Sequence, residues 1–184
     1  MKTIGLLRHA KSEEHVPAGR DFDRGLNAKG ERAALAIGRH IHAHGPVFER
    51  IIASPAARVR ATLDIVRQAI GDAAPQVIED RQLYLATAET IAEVAAEHGG
   101  GVDKMLIVAH EPGLADFVLS HVPHENGNSL RETVAEKYPT GAFAVLNFDI
   151  EDWSQLAAAQ GRLCTVTRPR DLDVSLGPEF ADQA

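Results

Sequence analysis

The chain has 184 residues, 45% hydrophobic and 24% charged, the composition of a globular protein with enough apolar material for a core. Its formal net charge of −7 excludes a general nucleic-acid binder, which would carry a basic stripe, yet leaves room for a local cationic pocket. A single cysteine, Cys164, excludes an internal disulfide framework and fits a reducing compartment. No apolar run approaches the ~20 residues of a membrane span, and none near Met1 resembles a signal peptide. The expectation is a cytoplasmic protein without a membrane or nucleic-acid partner.

Residues 2–8 read as a strand buried on both faces, which delivers Arg8 and His9 to its C-terminal edge. Residues 10–25 are polar and broken by Pro17 and Gly19, so they predict a loop over that edge. Asn27 suits a helix N-cap, and Leu26, Gly30, Ala34, Ile37 and Ile41 supply an apolar stripe that stops at Gly45-Pro46. Val47 to Ala53 reads as a strand. Ser54-Pro55 then has the grammar of a helix start, serine as cap and proline in the first turn. Val59, Leu63, Val66 and Ile70 would be its buried face, with Arg58 in its first turn.

Gln76 to Glu79 predicts a short strand, and residues 88–98 a helix that buries Ile91, Val94 and Ala95. After the Gly99-Gly100-Gly101 turn, Met105 to Ala109 reads as a strand that ends in His110. Gly113 to His121 is a helix with Leu114, Phe117 and Val118 inward. Residues 122–139 look polar and irregular. Phe143–Phe148 and Arg162–Val166 are strands, and Val174 to Ala184 has little to pack and reads as a mobile tail. The alternation implies a three-layer α/β/α sandwich with a mostly parallel central sheet. One catalytic domain over residues 1–173 is the simplest division.

Two strand-end histidines and two arginines suit attack on a phosphoryl group. Arginine pairs two phosphoryl oxygens at once and is always charged. Arg8 and Arg58 are the clamps, and the start of the Arg58 helix adds a dipole that favours an anion. Neutral histidine accepts a phosphoryl group, and neighbouring arginines keep it neutral. His9 is thus assigned as nucleophile, and His110 as a donor to the phosphoryl oxygens. Ser12 and Thr62 are further candidate phosphate ligands; Thr62 lies one helical turn after Arg58, where it could donate a hydroxyl or simply pack.

Arg8-His9-Ala10-Lys11-Ser12 resembles the Arg-His-Gly signature of the histidine phosphatase superfamily, and more closely its short SixA-like branch. Ser54-Pro55-x-x-Arg58-x-x-x-Thr62, the His110 strand end and Asp23-Arg24-x-Leu26-x-x-x-Gly30 match further motifs in the correct order. The resemblance implies a phosphoglycerate mutase-like fold, a phosphohistidine enzyme intermediate, no cofactor and no metal. It also implies a phosphate pocket made of Arg8, His9, Arg58 and His110. The larger members' Trp-Glu-Gly element, which supplies a general acid, has no counterpart here: Arg81 to Glu89 lacks it, and the sole tryptophan is Trp153. Glu89 is the one candidate acid in that stretch.

An imidazole leaves more readily than an alkoxide, so a missing acid favours phosphohistidine on a signalling protein as substrate, with inorganic phosphate as product. The alternatives are a phosphatase for a small phosphate ester or phosphoanhydride, and a non-catalytic phospho-ligand binding protein. Several residues have blander readings. His40, His42 and His44 suit a helix C-terminus better than a metal, and His121 and His124 lack companion carboxylates. Asp21 and Asp23 suit holding the loop rather than donating protons, and Cys164 suits a core strand.

Overall fold

The apolar runs become six strands: β1 (Lys2–Arg8), β2 (Arg50–Ala53), β3 (Val77–Glu79), β4 (Lys104–Ala109), β5 (Phe143–Phe148) and β6 (Gly161–Thr167). The helices are α1 (Ala28–His44), α2 (Ala57–Ile70), α3 (Ala88–Gly99), α4 (Gly113–His121), α5 (Ser129–Glu136) and α6 (Pro169–Leu172). This computed structural model describes residues 1–14, 19–71, 74–125 and 128–178; the predicted loop position Pro17 lies outside them. The strands form one sheet in the order β3-β2-β4-β1-β5-β6. β1, β2, β3 and β4 are mutually parallel, and β5 alone runs against the rest.

Strand alternation divides the core in two. Ile4, Leu6, Ile52, Met105, Ile107 and Leu146 face a layer that includes Ile91, Leu114 and Phe117 of α3 and α4. Leu7, Ile51, Leu106, Val108 and Val145 face the layer of α1 and α2, where Ile37, Val59, Leu63 and Val66 are buried. Both sides of the central strands are covered, which is why β1 and β4 read as continuous apolar runs. No helix among the described residues is long and apolar enough to cross a membrane.

The departures from the sequence reading have local causes. Residues 122–139 contain α5, capped by the Asn128 side chain, which accepts from the Arg131 N–H. Only Val134 is buried in that helix, so it offered no apolar period. β2 is shorter than expected because Val47 is exposed and the chain joins the sheet only at Arg50. Ser54 is not the cap of α2, since the helix begins at Ala57 after Ala56. At the start of the expected tail, Val174–Leu176 forms a 3-10 turn with Leu176 buried, and Lys29 of α1 donates to the Gly177 carbonyl. Residues 179–184 lie outside the description.

The start of α1 is tied to the loop after β1. Asn27 accepts from the Gly30 N–H, and its own N–H donates to the Lys11 carbonyl. A Cβ on Gly30 would lie 2.0 Å from that carbonyl oxygen. Gly30→Ala should therefore destabilise by about 1–3 kcal/mol, although alanine is the better helix former. Gly101→Ala, whose Cβ would meet nothing within 4 Å, should be nearly neutral. Thermal melting checks both, and a Gly30→Ala midpoint at or above the parent's would show that this loop yields freely.

Candidate active site

β1 and β4 are parallel neighbours with Arg8 opposite Ala109. The next residues, His9 and His110, therefore emerge side by side, with ring centroids 5.2 Å apart. α1 leaves β1 towards one face of the sheet and α4 leaves β4 towards the other. This divergence opens the crevice where ligands bind in such sheets. β2 lies next to β4, with Ala53 opposite Val108, so Ser54 reaches the same edge and α2 brings Arg58 over it. Thus the structure brings Arg8, His9, Arg58 and His110 together.

His9 is buried. Its Nδ1 lies 2.8 Å from the Ala10 carbonyl oxygen, which can only accept, so Nδ1 carries the hydrogen and Nε2 the lone pair. Arg58 Nε donates to that Nε2 at 3.3 Å. Burial, together with the Arg58 and Arg8 charges, lowers the His9 pKa to about 4. The imidazole is neutral at pH 7.

Arg58 is 3% exposed and holds a buried charge. Its Nη1 donates to the Asp21 carbonyl at 2.6 Å and its Nη2 to the Asp21 carboxylate at 2.9 Å. Nη2 also lies 3.3 Å from His110 Nδ1. Asp21 accepts from the Tyr84 hydroxyl at 2.8 Å and from Arg24. Burial would raise the Asp21 pKa, but the donors Tyr84, Arg24 and Arg58 outweigh it and hold the carboxyl well below its usual range. Asp21 does hold the loop, as its type suggested, and it does so through the buried cation of Arg58.

His110 Nε2 lies 2.8 Å from Ser54 Oγ. Burial, with His9 and Arg58 next in order, lowers the His110 pKa to about 3. The Ser54 hydroxyl both donates and accepts. Arg58 Nη2 can only donate, so in this arrangement Nδ1 accepts and Nε2 donates to Ser54 Oγ. Once Nη2 turns to another acceptor, Ser54 can donate to Nε2, and Nδ1 then bears the hydrogen toward the site. The serine expected to cap α2 thus serves the histidine instead. Tyr84 closes this side, its ring edge-on to His110 at 5.3 Å. The next residue, Leu85, sits at φ 54°, a left-handed conformation that costs about 1–3 kcal/mol for such a side chain.

Three minor assignments change or find no support. The Thr62 hydroxyl is fully buried; it donates to the Arg58 carbonyl at 2.7 Å and accepts from the Ala10 N–H at 2.9 Å. It ties α2 to the loop after His9, with its one hydrogen donated to the Arg58 carbonyl. Ser12 forms an isolated bridge with Leu26, and among the described residues no side-chain hydrogen bond joins it to the other four. Glu89 is exposed in the first turn of α3, where its own backbone N–H and the Thr87 hydroxyl lower its pKa. That is the wrong direction for a proton donor.

The opposite shift belongs to Glu111. Burial, only partly offset by Arg8, raises its pKa to about 7. Its Oε1 and the Nε of Arg8 are buried without hydrogen-bond partners among the described residues. Arg8 Nη1 donates to the Tyr138 carbonyl at 2.8 Å. The signal for Glu111 was its place directly after His110, which puts it at the same sheet edge. The histidine-rich end of α1 joins no metal-ligating cluster among the described residues: His40 Nε2 lies 3.1 Å from Thr167 Oγ1. The one such cluster, Asp80, Glu97 and His98, shares no residue with this site.

A model of the histidine phosphatase superfamily (branch 1) matches residues 4–84. An uncharacterised Mycobacterium leprae protein, ML1117, is 30% identical over 89% of this chain and 100% of its own length. Among solved structures, a Nakamurella multipartitia protein provisionally assigned as the phosphohistidine phosphatase SixA superposes with a TM-score of 0.79 at 28% identity, covering 91% of this chain and 96% of that one. Its Agrobacterium tumefaciens counterpart, assigned in the same way, gives 0.75 at 26% identity, with 91% and 98% covered. The sheet with its paired strand-end histidines therefore defines a phosphoglycerate mutase-like α/β protein. The chain belongs to the histidine phosphatase superfamily.

Arg58 and Arg60 lie on the same helix and each pairs with a carboxylate, but Arg60 is exposed and meets exposed Glu79, whereas Arg58 is buried against the two histidines. Arg58→Lys keeps the charge and loses the fork. It should cost at least ~2 kcal/mol of transition-state stabilisation, read as a fall in kcat/KM on an aryl phosphate. Arg60→Lys should be nearly silent. Equal effects would show that the fork of Arg58 is not used.

Proposed function

We propose that this protein is a phosphatase that passes a phosphoryl group through Nε2 of His9 to water. The observation that carries this reading is a neutral His9 whose tautomer is fixed by Ala10, with its Nε2 lone pair held only by a long bond from a buried guanidinium. The two Arg58 contacts to histidine are long, whereas those to Asp21 are short. Phosphoryl oxygens would take over the histidine-facing edge while Asp21 keeps the other. Arg8 Nε would supply a further donor, and His110 another through Nδ1. As the Nε2–P bond forms, the bond to the leaving group breaks and that group keeps the electron pair. Water then attacks phosphorus, releases inorganic phosphate and restores His9.

Two substrate classes have support. Phosphohistidine on a signalling protein is favoured by the assignments of the two similar structures. A small phosphate ester or phosphoanhydride is favoured by Glu111, because a carboxyl that keeps its proton near neutral pH can protonate a poor leaving group. The absent acid inferred from Arg81 to Glu89 therefore no longer argues for phosphohistidine. A non-catalytic binder has no use for an imidazole held in one tautomer. We further propose that the reaction needs no metal, since two arginines and a histidine donor already face the phosphoryl oxygens. The unpaired Cys164 supports a cytoplasmic setting.

Phosphate release from phosphohistidine, aryl phosphate, alkyl phosphate and pyrophosphate tests the proposal and ranks the classes. His9→Ala should lower turnover roughly a thousandfold or more with thermal stability retained, and the parent should keep its rate in excess chelator. Turnover by His9→Ala within about tenfold of the parent would remove His9 as nucleophile.

The pH dependence follows from the two shifts. His9 must be neutral, so activity should fall as pH drops through about 4. Glu111 must be protonated to act as acid, so activity on alkyl phosphates should fall as pH rises through about 7. Glu111→Gln should cut alkyl phosphate turnover roughly a hundredfold, abolish the alkaline limb and spare aryl phosphates. Comparing variant with parent on one substrate cancels that substrate's own ionisation. An alkaline limb that survives in Glu111→Gln would assign the acid to another group.

A further inference from the structure

Next to the phosphoryl site lies a cavity of about 530 Å³ whose charged lining, among the described residues, is cationic: Arg8, Lys11, Lys29, Lys137, Arg168 and Arg170. These residues come from distant parts of the chain. Arg8 ends β1, Lys11 follows it, Lys29 is in the first turn of α1, Lys137 ends α5, and Arg168 and Arg170 flank the start of α6. Among the described residues no aspartate or glutamate lines the cavity, in a chain with 26 acidic residues and a net charge of −7. Arg168 is held by Asp171, and Lys29 donates to the Gly177 carbonyl. Lys11, Lys137 and Arg170 form no ion pair among the described residues. Like charges gathered around one hollow repel one another, and an anion relieves that repulsion.

A single phosphoryl group is already served by Arg8, Arg58 and the two histidines. The additional cations sit where the rest of the substrate must extend, because Arg8 belongs to both sites. We propose that this groove is a second anion subsite and that the substrate is a small molecule carrying at least one further phosphate group, as a phosphoanhydride or a bisphosphorylated compound. The volume is that of a small-ligand site. The inference rests on Arg8 and His9 as the phosphoryl site, and it selects the small-molecule class from the two above. With an anhydride, the terminal phosphoryl moves to His9 Nε2. The bridging P–O bond breaks, and the departing phosphate keeps the electron pair and takes a proton.

The test uses the purified chain and the double variant Lys137→Glu/Arg170→Glu, two exposed positions away from the histidines. Steady-state rates are measured on pyrophosphate, tripolyphosphate, an aryl monophosphate and a phosphohistidine-bearing protein. Expected is a rise in KM for the two polyphosphates of about tenfold, with kcat/KM for the aryl monophosphate within about twofold of the parent. Calorimetric binding of methylenebisphosphonate should be about tenfold tighter than that of methylphosphonate in the parent, and the variant should lose that margin. Equal changes for mono- and polyphosphates, or no margin between the two phosphonates, would overturn the subsite. A KM increase confined to the phosphohistidine protein would also overturn it, in favour of an acidic partner surface. Failure of the phosphatase reading shows differently: a parent inactive on every substrate that still prefers the bisphosphonate keeps the subsite and loses the enzyme.

Discussion

A guanidinium almost wholly removed from water is the constraint on which this site depends. Arg58 cannot remain there without compensation, because an unpaired buried charge costs several kcal/mol. Asp21 supplies the counter-charge, and to do so the 3-10 turn Asp21–Asp23 must fold onto α2. That turn in turn fixes Arg24 and the Tyr84 hydroxyl. The same buried cation, added to the cost of burying the rings themselves, keeps His9 and His110 neutral. One pairing thereby sets the loop, the position of Tyr84 beside His110 and the protonation state of His9. It also divides the fork: the edge held by Asp21 is committed, and the edge facing the imidazoles is available.

The sheet was largely legible because its strands are short, apolar and buried on both sides. β5 and α4 appear with the boundaries read from sequence, since each is closed by a turn signal and has an apolar face. What failed lacked such a face. α5 buries one valine, and its identity is set by the Asn128 cap and by the Arg131 bonds to the Val122 and Leu119 carbonyls. β2 was overextended because Val47 and Phe48 look like strand residues, yet only Phe48 is buried and it packs from a loop. Ser54-Pro55 carried a real start signal, but the serine is consumed by a histidine from another strand. A local rule was overridden there by a tertiary contact.

The same distinction separates legible from hidden site residues. Arg8, His9 and His110 follow apolar strands, so their convergence at one edge is a property of the pattern. Arg58 follows from the helix that the Pro55 turn begins. Thr62 was visible as a neighbour of Arg58, but its function in joining α2 to Ala10 depends on a backbone N–H from 52 residues away. Glu89 occupies the right stretch of chain for an acid, yet a helix start stabilises its anion. Glu111 differs from it only in surroundings: a partly buried carboxyl keeps its proton, an exposed one at a helix N-terminus loses it. No periodicity encodes that difference.

The proposed phosphoryl pocket and the proposed anion groove are assembled from different parts of the chain. The superfamily match spans residues 4–84 and so includes Arg8, His9 and Arg58. His110, Glu111, Lys137, Arg168 and Arg170 lie beyond it. In the proposed reaction the first group fixes what is transferred, because a guanidinium fork and a neutral imidazole recognise any phosphoryl group. In the same proposal the second group decides what the phosphoryl is transferred from, by supplying the leaving-group proton and the charges around the leaving group. β5 is the joint between them. It runs antiparallel to β1 and β6, which brings α6 and its arginines back beside the C-terminal end of β1. A nucleophile common to a superfamily can therefore serve different substrates when the chain beyond β4 changes, with no alteration to the pairing that keeps Arg58 buried.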